Sequence, residues 1–172
     1  HARGRGRTTL RTGRDALLRA LADPTRHLLC HGWLLRRELA VEPLPLTTPV
    51  LFADAGPTRQ ESCASGLAAV PDGIELVAIH DGARPLITYE VIDRAIRAAN
   101  TYSAAAPGIP VKDTIKTVEG GVVLNTPDRS KLRAIQTPQV FDIDLLKGAL
   151  KKAKQDKAEV TDDCSAVERL GM

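Results

Sequence analysis

The chain has 172 residues, 43% hydrophobic and 26% charged, with a net charge of +3. That is the size and balance of one globular domain able to bury its own core. No run of eighteen apolar residues occurs, three cysteines lack metal spacing or disulfide density, and five aromatics are too few to stack single-stranded nucleic acid.

The charge is unevenly spread. Residues 1–50 hold nine arginines, no lysine and four acidic residues, whereas residues 51–172 hold fifteen basic and seventeen acidic ones. The first fifty residues are poor in strand signals. Residues 1–7 form a basic lead, Asp15 to Asp23 has helical spacing, and the apolar run from His27 to Leu35 is short and interrupted. Residues 42–49 carry three prolines and read as extended. Residues 1–48 are therefore expected to be an atypical arginine-rich segment, poorly ordered or damaged in reading frame. An arginine-rich arm can bind nucleic acid, but the acidic remainder and the scarcity of aromatics argue against that partner.

From Pro49 strands and helices alternate. Val50 to Ala53 fits a short buried strand, and Thr58-Arg-Gln-Glu61 has capping-box spacing before a helix with Cys63, Leu67 and Val70 on one face. Leu76 to Ile79 reads as a second buried strand. Thr88 precedes a helix whose apolar stripe is Val91, Ile92, Ala95, Ile96 and Ala99. Residues 103–106 and 109–111 suggest one strand interrupted by Pro107-Gly108. Residues 114–118 and 122–126, joined through Gly120-Gly121, predict a hairpin. A helix from about Asp142 to Gln155 has acidic residues at its start and lysines at its end, matching the helix dipole. The alternation predicts an α/β domain with a mainly parallel sheet.

Ligands of open α/β sheets gather at the carboxyl ends of strands. The second strand runs into His80-Asp-Gly-Ala-Arg-Pro85, so Asp81 leaves a buried strand at its tip, where a carboxylate can hold Mg²⁺. Arg84 can face phosphate as a bidentate fork or remain solvated. Lys112, Asp113 and Thr114 follow another apolar run, and Arg129 can be a phosphate ligand or a surface charge. Gln136-Thr-Pro-Gln139 is a rigid polar segment. At Thr161-Asp-Asp-Cys-Ser165 either Thr161 or Asp162 can cap a helix, and Thr161 can also offer its hydroxyl, with the helix N-terminus, to an anion. His80 reads as a structural histidine at a strand end. Neither a P-loop nor a nucleophile elbow is present.

These six segments, Thr58–Ser62, His80–Pro85, Pro110–Lys116, Thr126–Ser130, Gln136–Phe141 and Thr161–Gly171, occur in an order that resembles the 2-C-methyl-D-erythritol 4-phosphate cytidylyltransferase family over about residues 49–172. The ribitol-phosphate cytidylyltransferases share much of the pattern. The resemblance implies a Rossmann-like nucleotidyltransferase fold with a protruding β-arm hairpin. It implies an enzyme of non-mevalonate isoprenoid biosynthesis that transfers cytidylyl from CTP to methylerythritol phosphate, with Mg²⁺ as cofactor and pyrophosphate as second product. Transfer to ribitol phosphate or another sugar phosphate, or an inactive truncated relic, are the alternatives. By the same resemblance Arg59 and Ser62 bind nucleotide, and Asp81 holds the metal near the triphosphate. Arg84, Thr137 and Thr161 line the acceptor site, and Thr114 and Arg129 reach across a homodimer through the arm at 112–130. Asp81 and Arg129 are the expected catalytic residues, and the expected location is the cytoplasm, or the plastid in a plant or alga.

The chain departs from the family in places. Gly82 stands where alanine is usual, and Ala55-Gly56 where two glycines are usual. The Gly-rich triphosphate loop that opens the family is not readable, and the closing lysine stretch is not reached. The sequence therefore reads as a fragment open at both ends, incomplete at its C-terminus and of crippled activity.

Overall fold

A computed structural model of the protein describes residues 28–31, 51, 53–54, 56–81, 83–84 and 86–171. The basic lead, the helical pattern at 15–23, the proline-rich stretch at 42–49 and positions 55 and 82 lie outside the described residues.

Four strands make the main sheet, in the order β1 (Leu28–His31), β2 (Leu76–Asp81), β8 (Gln139–Asp142) and β3 (Ala104–Ala105). β1 pairs parallel with β2, whereas β8 is antiparallel to both β2 and β3. β1, β2 and β3 thus run one way and β8 alone runs against them, so among the described residues one of the three pairings is parallel and the two made by β8 are antiparallel.

The strand at Leu28–His31 corrects the reading of the first fifty residues as poor in strands. A strand joined in parallel shows no alternation in sequence, so its four residues were hidden in a short unpatterned run. The expected strand at residues 50–53 is absent from the described part of that run: Leu51 and Ala53 lie in no strand, and Leu51 is 54% exposed.

Helix α1 (Arg59–Ala68) begins as its sequence predicts. Thr58 Oγ1 accepts from the Glu61 amide at 3.2 Å and donates to Glu61 Oε2 at 3.0 Å. Helix α2 (Tyr89–Tyr102) buries Ile92, Ala95 and Ala99, and ends on Ser103 in the left-handed conformation. Helix α3 (Ile143–Gln155) is capped by the Asp142 carboxylate, which accepts from the amides of Asp144 and Leu145. Helix α4 (Asp163–Glu168) opens with a reciprocal box between Asp162 and Ser165.

The sheet separates two cores, because successive strand residues point to opposite faces. Val77, Ile79 and Phe141 meet α1, α3 and α4 through Leu67, Leu146, Leu150 and Val167. On the other face Ala78 and Val140 meet Ala95 and Ala99 of α2, and these small side chains let the helix sit close.

The interrupted strand at 103–111 splits between two sheets at Pro107. β3 stays in the main sheet, while β4 (Gly108–Pro110) pairs antiparallel with β7 (Arg133–Ile135) and leaves it. Beyond that ribbon, β5 (Thr117–Glu119) and β6 (Val122–Asn125) form the predicted hairpin. Its two-residue turn places Gly120 at φ 57° and Gly121 at φ 82°, the pair of positive values that tight hairpin turns require. A short 3₁₀ turn at Arg129–Lys131 returns the chain to β7.

Candidate functional site

The carboxyl end of β2 and the chain entering β8 meet at one place. The register pairs Ile79 with Gln139, so the next residues outward bring Asp81 beside Thr137. The Asp81 amide donates to Thr137 Oγ1 at 3.1 Å. Thr137 Oγ1 also lies 3.0 Å from His80 Nδ1, and His80 Nε2 lies 3.1 Å from the Arg84 carbonyl oxygen. Thr137, which precedes a cis Pro138, and His80 are both buried. Burial holds the His80 imidazole below its ordinary pKa.

The charged groups face outward from this base. Arg84 Nε donates to Asp81 Oδ2 at 3.0 Å, both side chains 42% exposed, and Arg84 Nη1 donates to Gln136 Oε1. The Arg84 amide closes a turn onto the Asp81 carbonyl at 3.0 Å. Asp81 and Arg84 are thus held in one half-open cluster.

A second cluster adjoins it through β8. Gln139 is buried; its Oε1 accepts from the amides of Asp163 and Cys164, and its Nε2 donates to Asp162 Oδ2 at 2.7 Å. Arg59 Nη2 donates to Asp163 Oδ2 at 2.6 Å, and Asp163 is fully buried. Burial works against the Arg59 charge, but the hydrogen bond and charge of Asp163 outweigh it and raise the pKa; Asp81 adds to the same field. Burial alone would raise the Asp162 pKa too, yet donors on Ser165 and Gln139 bring it below the usual carboxylate value. The thiols behind the cluster are pushed the other way. Cys164 rises to about 12 through burial and the carboxylates of Asp162, Asp163 and Glu168, and Cys63 rises through burial and Asp163.

Ser62 lies on α1 with its hydroxyl turned back onto the preceding loop, accepting from the Gly56 amide at 3.0 Å and donating to the Gly56 carbonyl at 3.2 Å. A Cβ at Gly56 would collide with Glu61, so only glycine fits against this helix start. Thr161 is exposed, one residue before the α4 cap. The α4 N-terminus does not offer its amides to an anion as its sequence suggests: Gln139 takes those of Asp163 and Cys164, and Asp162 takes that of Ser165.

The structure therefore groups Asp81, Arg84 and Thr137 directly, with Arg59 and Thr161 at the neighbouring α4 start. Thr114 and Arg129 stand on the arm, exposed, and the Arg129 guanidinium donates to the Lys112 carbonyl at 2.7 Å. Among the described residues no hydrogen bond or ion pair links either to the Asp81 cluster. Sequence reasoning missed Gln139 and Asp163 as parts of the site. Their signal was a polar side chain on an apolar strand and a second acid beside a cap. A groove of about 590 Å³ between α1 and α3 shares no lining residue with these clusters.

The family model for 2-C-methyl-D-erythritol 4-phosphate cytidylyltransferase matches residues 35–172, about fourteen residues further toward the N-terminus than the span of 49–172 expected from the sequence. The chain is 48% identical over 136 residues to the protein of that name from Caldanaerobacter subterraneus, covering 78% of this chain and 60% of the relative. It is 45% identical over 134 residues to the one from Bacillus anthracis, covering 78% and 59%. Among solved structures it is similar to the cytidylyltransferase of Thermus thermophilus, at 32% identity and TM-score 0.70, with 92% of this chain and 74% of that one covered. It is also similar to the 4-diphosphocytidyl-2C-methyl-D-erythritol synthase of Anaerococcus prevotii, at 27% identity and TM-score 0.80, with 95% and 74% covered. The chain spans about 60% of the length of the curated relatives it matches. A Rossmann-like α/β sheet with a protruding arm, six motifs in register and a family model over most of its length together place this chain in the 2-C-methyl-D-erythritol 4-phosphate cytidylyltransferase family.

Proposed function

We propose that this chain carries the cleft in which CTP and 2-C-methyl-D-erythritol 4-phosphate combine to give 4-diphosphocytidyl-2-C-methyl-D-erythritol and pyrophosphate. The observation that carries the reading is the Asp81–Arg84–Thr137 cluster at the tip of β2, in a chain of this family. The acceptor phosphate is already an anion and needs no base to attack the α-phosphorus of CTP. The work is to bring two polyanions into line and to offset their repulsion. A cleft of arginine, threonine and aspartate around a neutral imidazole suits that task.

Arg59 and Ser62 would wall the nucleotide. Arg84 would present its guanidinium to the acceptor phosphate, with Thr137 and Thr161 alongside. Thr114 and Arg129 would serve a partner copy's acceptor in a homodimer. The arm's exposed Val118, Val122, Val123 and Leu124 support that partner, because apolar side chains projecting from a two-stranded ribbon gain by being covered. Mg²⁺ is the implied metal. Among the described residues no three His, Cys, Asp or Glu side chains gather as a protein cage. One half-exposed carboxylate, Asp81, fits a metal whose other ligands are phosphate oxygens and water. When bound there, the ion would withdraw charge from the triphosphate. Among the described residues no helix is long and apolar enough to cross a membrane, and Cys63 and Cys164 are free thiols, which suits a reducing cytoplasm.

The test is Mg²⁺-dependent pyrophosphate release from CTP by this chain with methylerythritol, ribitol and glycerol phosphates as acceptors. Slow release, ranked with methylerythritol phosphate first, is expected. Preference for ribitol phosphate would move the acceptor, and the absence of both CTP binding and pyrophosphate release with every acceptor would overturn the reading.

A further inference from the structure

One buried group at the cleft has no part in that chemistry. His80 is 5% exposed, so it cannot meet substrate, yet both ring nitrogens are engaged. We propose that His80 is a positioning residue: its Nε2–H donates to the Arg84 carbonyl and its Nδ1 accepts the Thr137 hydroxyl proton, which fixes the Thr137 oxygen on the Asp81 amide and locks the Asp81–Arg84 turn. Its functional meaning rests on the reading of the cleft given above; its structural content does not.

The polarity of each bond follows from its partner. A carbonyl oxygen only accepts, so the nitrogen 3.1 Å from the Arg84 carbonyl must carry a hydrogen. Thr137 Oγ1 receives the Asp81 N–H at 3.1 Å, which leaves its own hydrogen to be donated, and Nδ1 stands 3.0 Å away. The neutral Nε2–H tautomer satisfies every group. The opposite tautomer sets a ring lone pair against the Arg84 carbonyl. The imidazole thereby ties three points together: the end of β2, the turn at Arg84 and the segment entering β8. Polar groups buried this way are high-stakes, since losing one partner strands the next. The carboxylate and the guanidinium at the cleft mouth both stand on residues of this turn, so its geometry sets theirs.

The experiment uses the whole chain. Nitrogen-15 spectra of the His80 ring are expected to show Nε2 protonated and Nδ1 bare, and Thr137→Val should move the Nδ1 resonance while sparing Nε2. Amide hydrogen exchange at Asp81 gives the second readout. His80→Asn places a carboxamide oxygen near the Nδ1 position and should keep the Asp81 amide protected. His80→Gln reaches only the Nε2 position, and His80→Phe supplies volume without bonds; both should exchange about tenfold faster there. Protonated Nδ1, or equal exchange in all three variants, overturns the proposal and leaves His80 as packing alone. Should the variants fail to fold, the wild-type ring spectrum still decides. Where turnover is measured, kcat should follow the same ranking with the KM for CTP unchanged. A wild-type chain that neither binds nor uses CTP would count against the proposed function and would leave the spectra to judge this inference.

Discussion

The cleft at β2 and β8 and the arm at residues 108–135 are held together by different means. In the cleft buried polar groups bond to one another: Thr137 to Asp81 and His80, Gln139 to the start of α4, Asp163 to Arg59. In the arm every strand residue is exposed, and the ribbon is held by its ladders and by surface bonds such as Lys116 Nζ to Thr126 Oγ1 at 2.7 Å. A preformed cleft needs nothing further to keep its shape. A ribbon with no core of its own is marginal in water until something covers it. The two regions should therefore fail differently when cut.

The sharpest cut is Asp81→Ala. Loss of the carboxylate at the cleft mouth should lower Mg²⁺-dependent pyrophosphate release by about a thousandfold while the unfolding midpoint stays put, since the side chain is half exposed. Unchanged turnover would remove Asp81 from the site. Arg59→Ala acts on stability as well as on the nucleotide wall: it strands a fully buried carboxylate and should cost about 3 kcal/mol in denaturant unfolding. A cost near zero would show that the Arg59–Asp163 bond does not tie α1 to the start of α4.

Thiol chemistry separates the regions without touching function. With its pKa pushed up to about 12, Cys164 should alkylate at pH 8 about a hundredfold more slowly than a Glu119→Cys thiol placed at the exposed end of the arm hairpin. The acid form dominates below that pKa, so the Cys164 rate should climb about tenfold per pH unit while the arm thiol levels off near pH 9. Peptide mass mapping reads both, and equal rates would contradict the burial of Cys164. Arg129→Ala should raise the acceptor KM about tenfold and leave that of CTP alone; an effect confined to CTP would move Arg129 out of the acceptor site. The smallest effect on stability belongs to Val123→Ser, within about 0.5 kcal/mol, because the side chain is 54% exposed. Sedimentation should nonetheless show weakened self-association, and an unchanged association constant would take the arm out of the dimer interface.

Local features were legible in the sequence because local chemistry fixes them. The Thr58 cap, the Asp142 cap with its lysine-rich end and the Gly120-Gly121 turn each lie within a few residues of their partners. Asp81 stood out because it leaves the tip of a buried strand, where ligands of open α/β sheets gather. Illegible were pairings that only the fold creates. Arg59 and Asp163 are 104 residues apart, and neither looks unusual where it stands. Pro107-Gly108 announced a break, but not that the chain leaves one sheet for another there. β1 escaped notice for want of alternation, and Leu51 misled because an apolar run can also lie at the surface.

The alignment of Ile79 with Gln139 has a consequence for how such a chain can vary. Thr137 and Gln139 are two residues apart, yet they serve two separate clusters, so both are set by a single offset. One residue inserted between Ile135 and Thr137 would displace the two together and turn Val140 and Phe141 toward each other's layers, and one inserted between Thr137 and Gln139 would break the offset itself. The ribbon beyond Pro110 carries no such constraint: lengthening its tip leaves that offset untouched. Insertions and deletions should collect at the tip, and the five positions from 135 to 139 should keep their count.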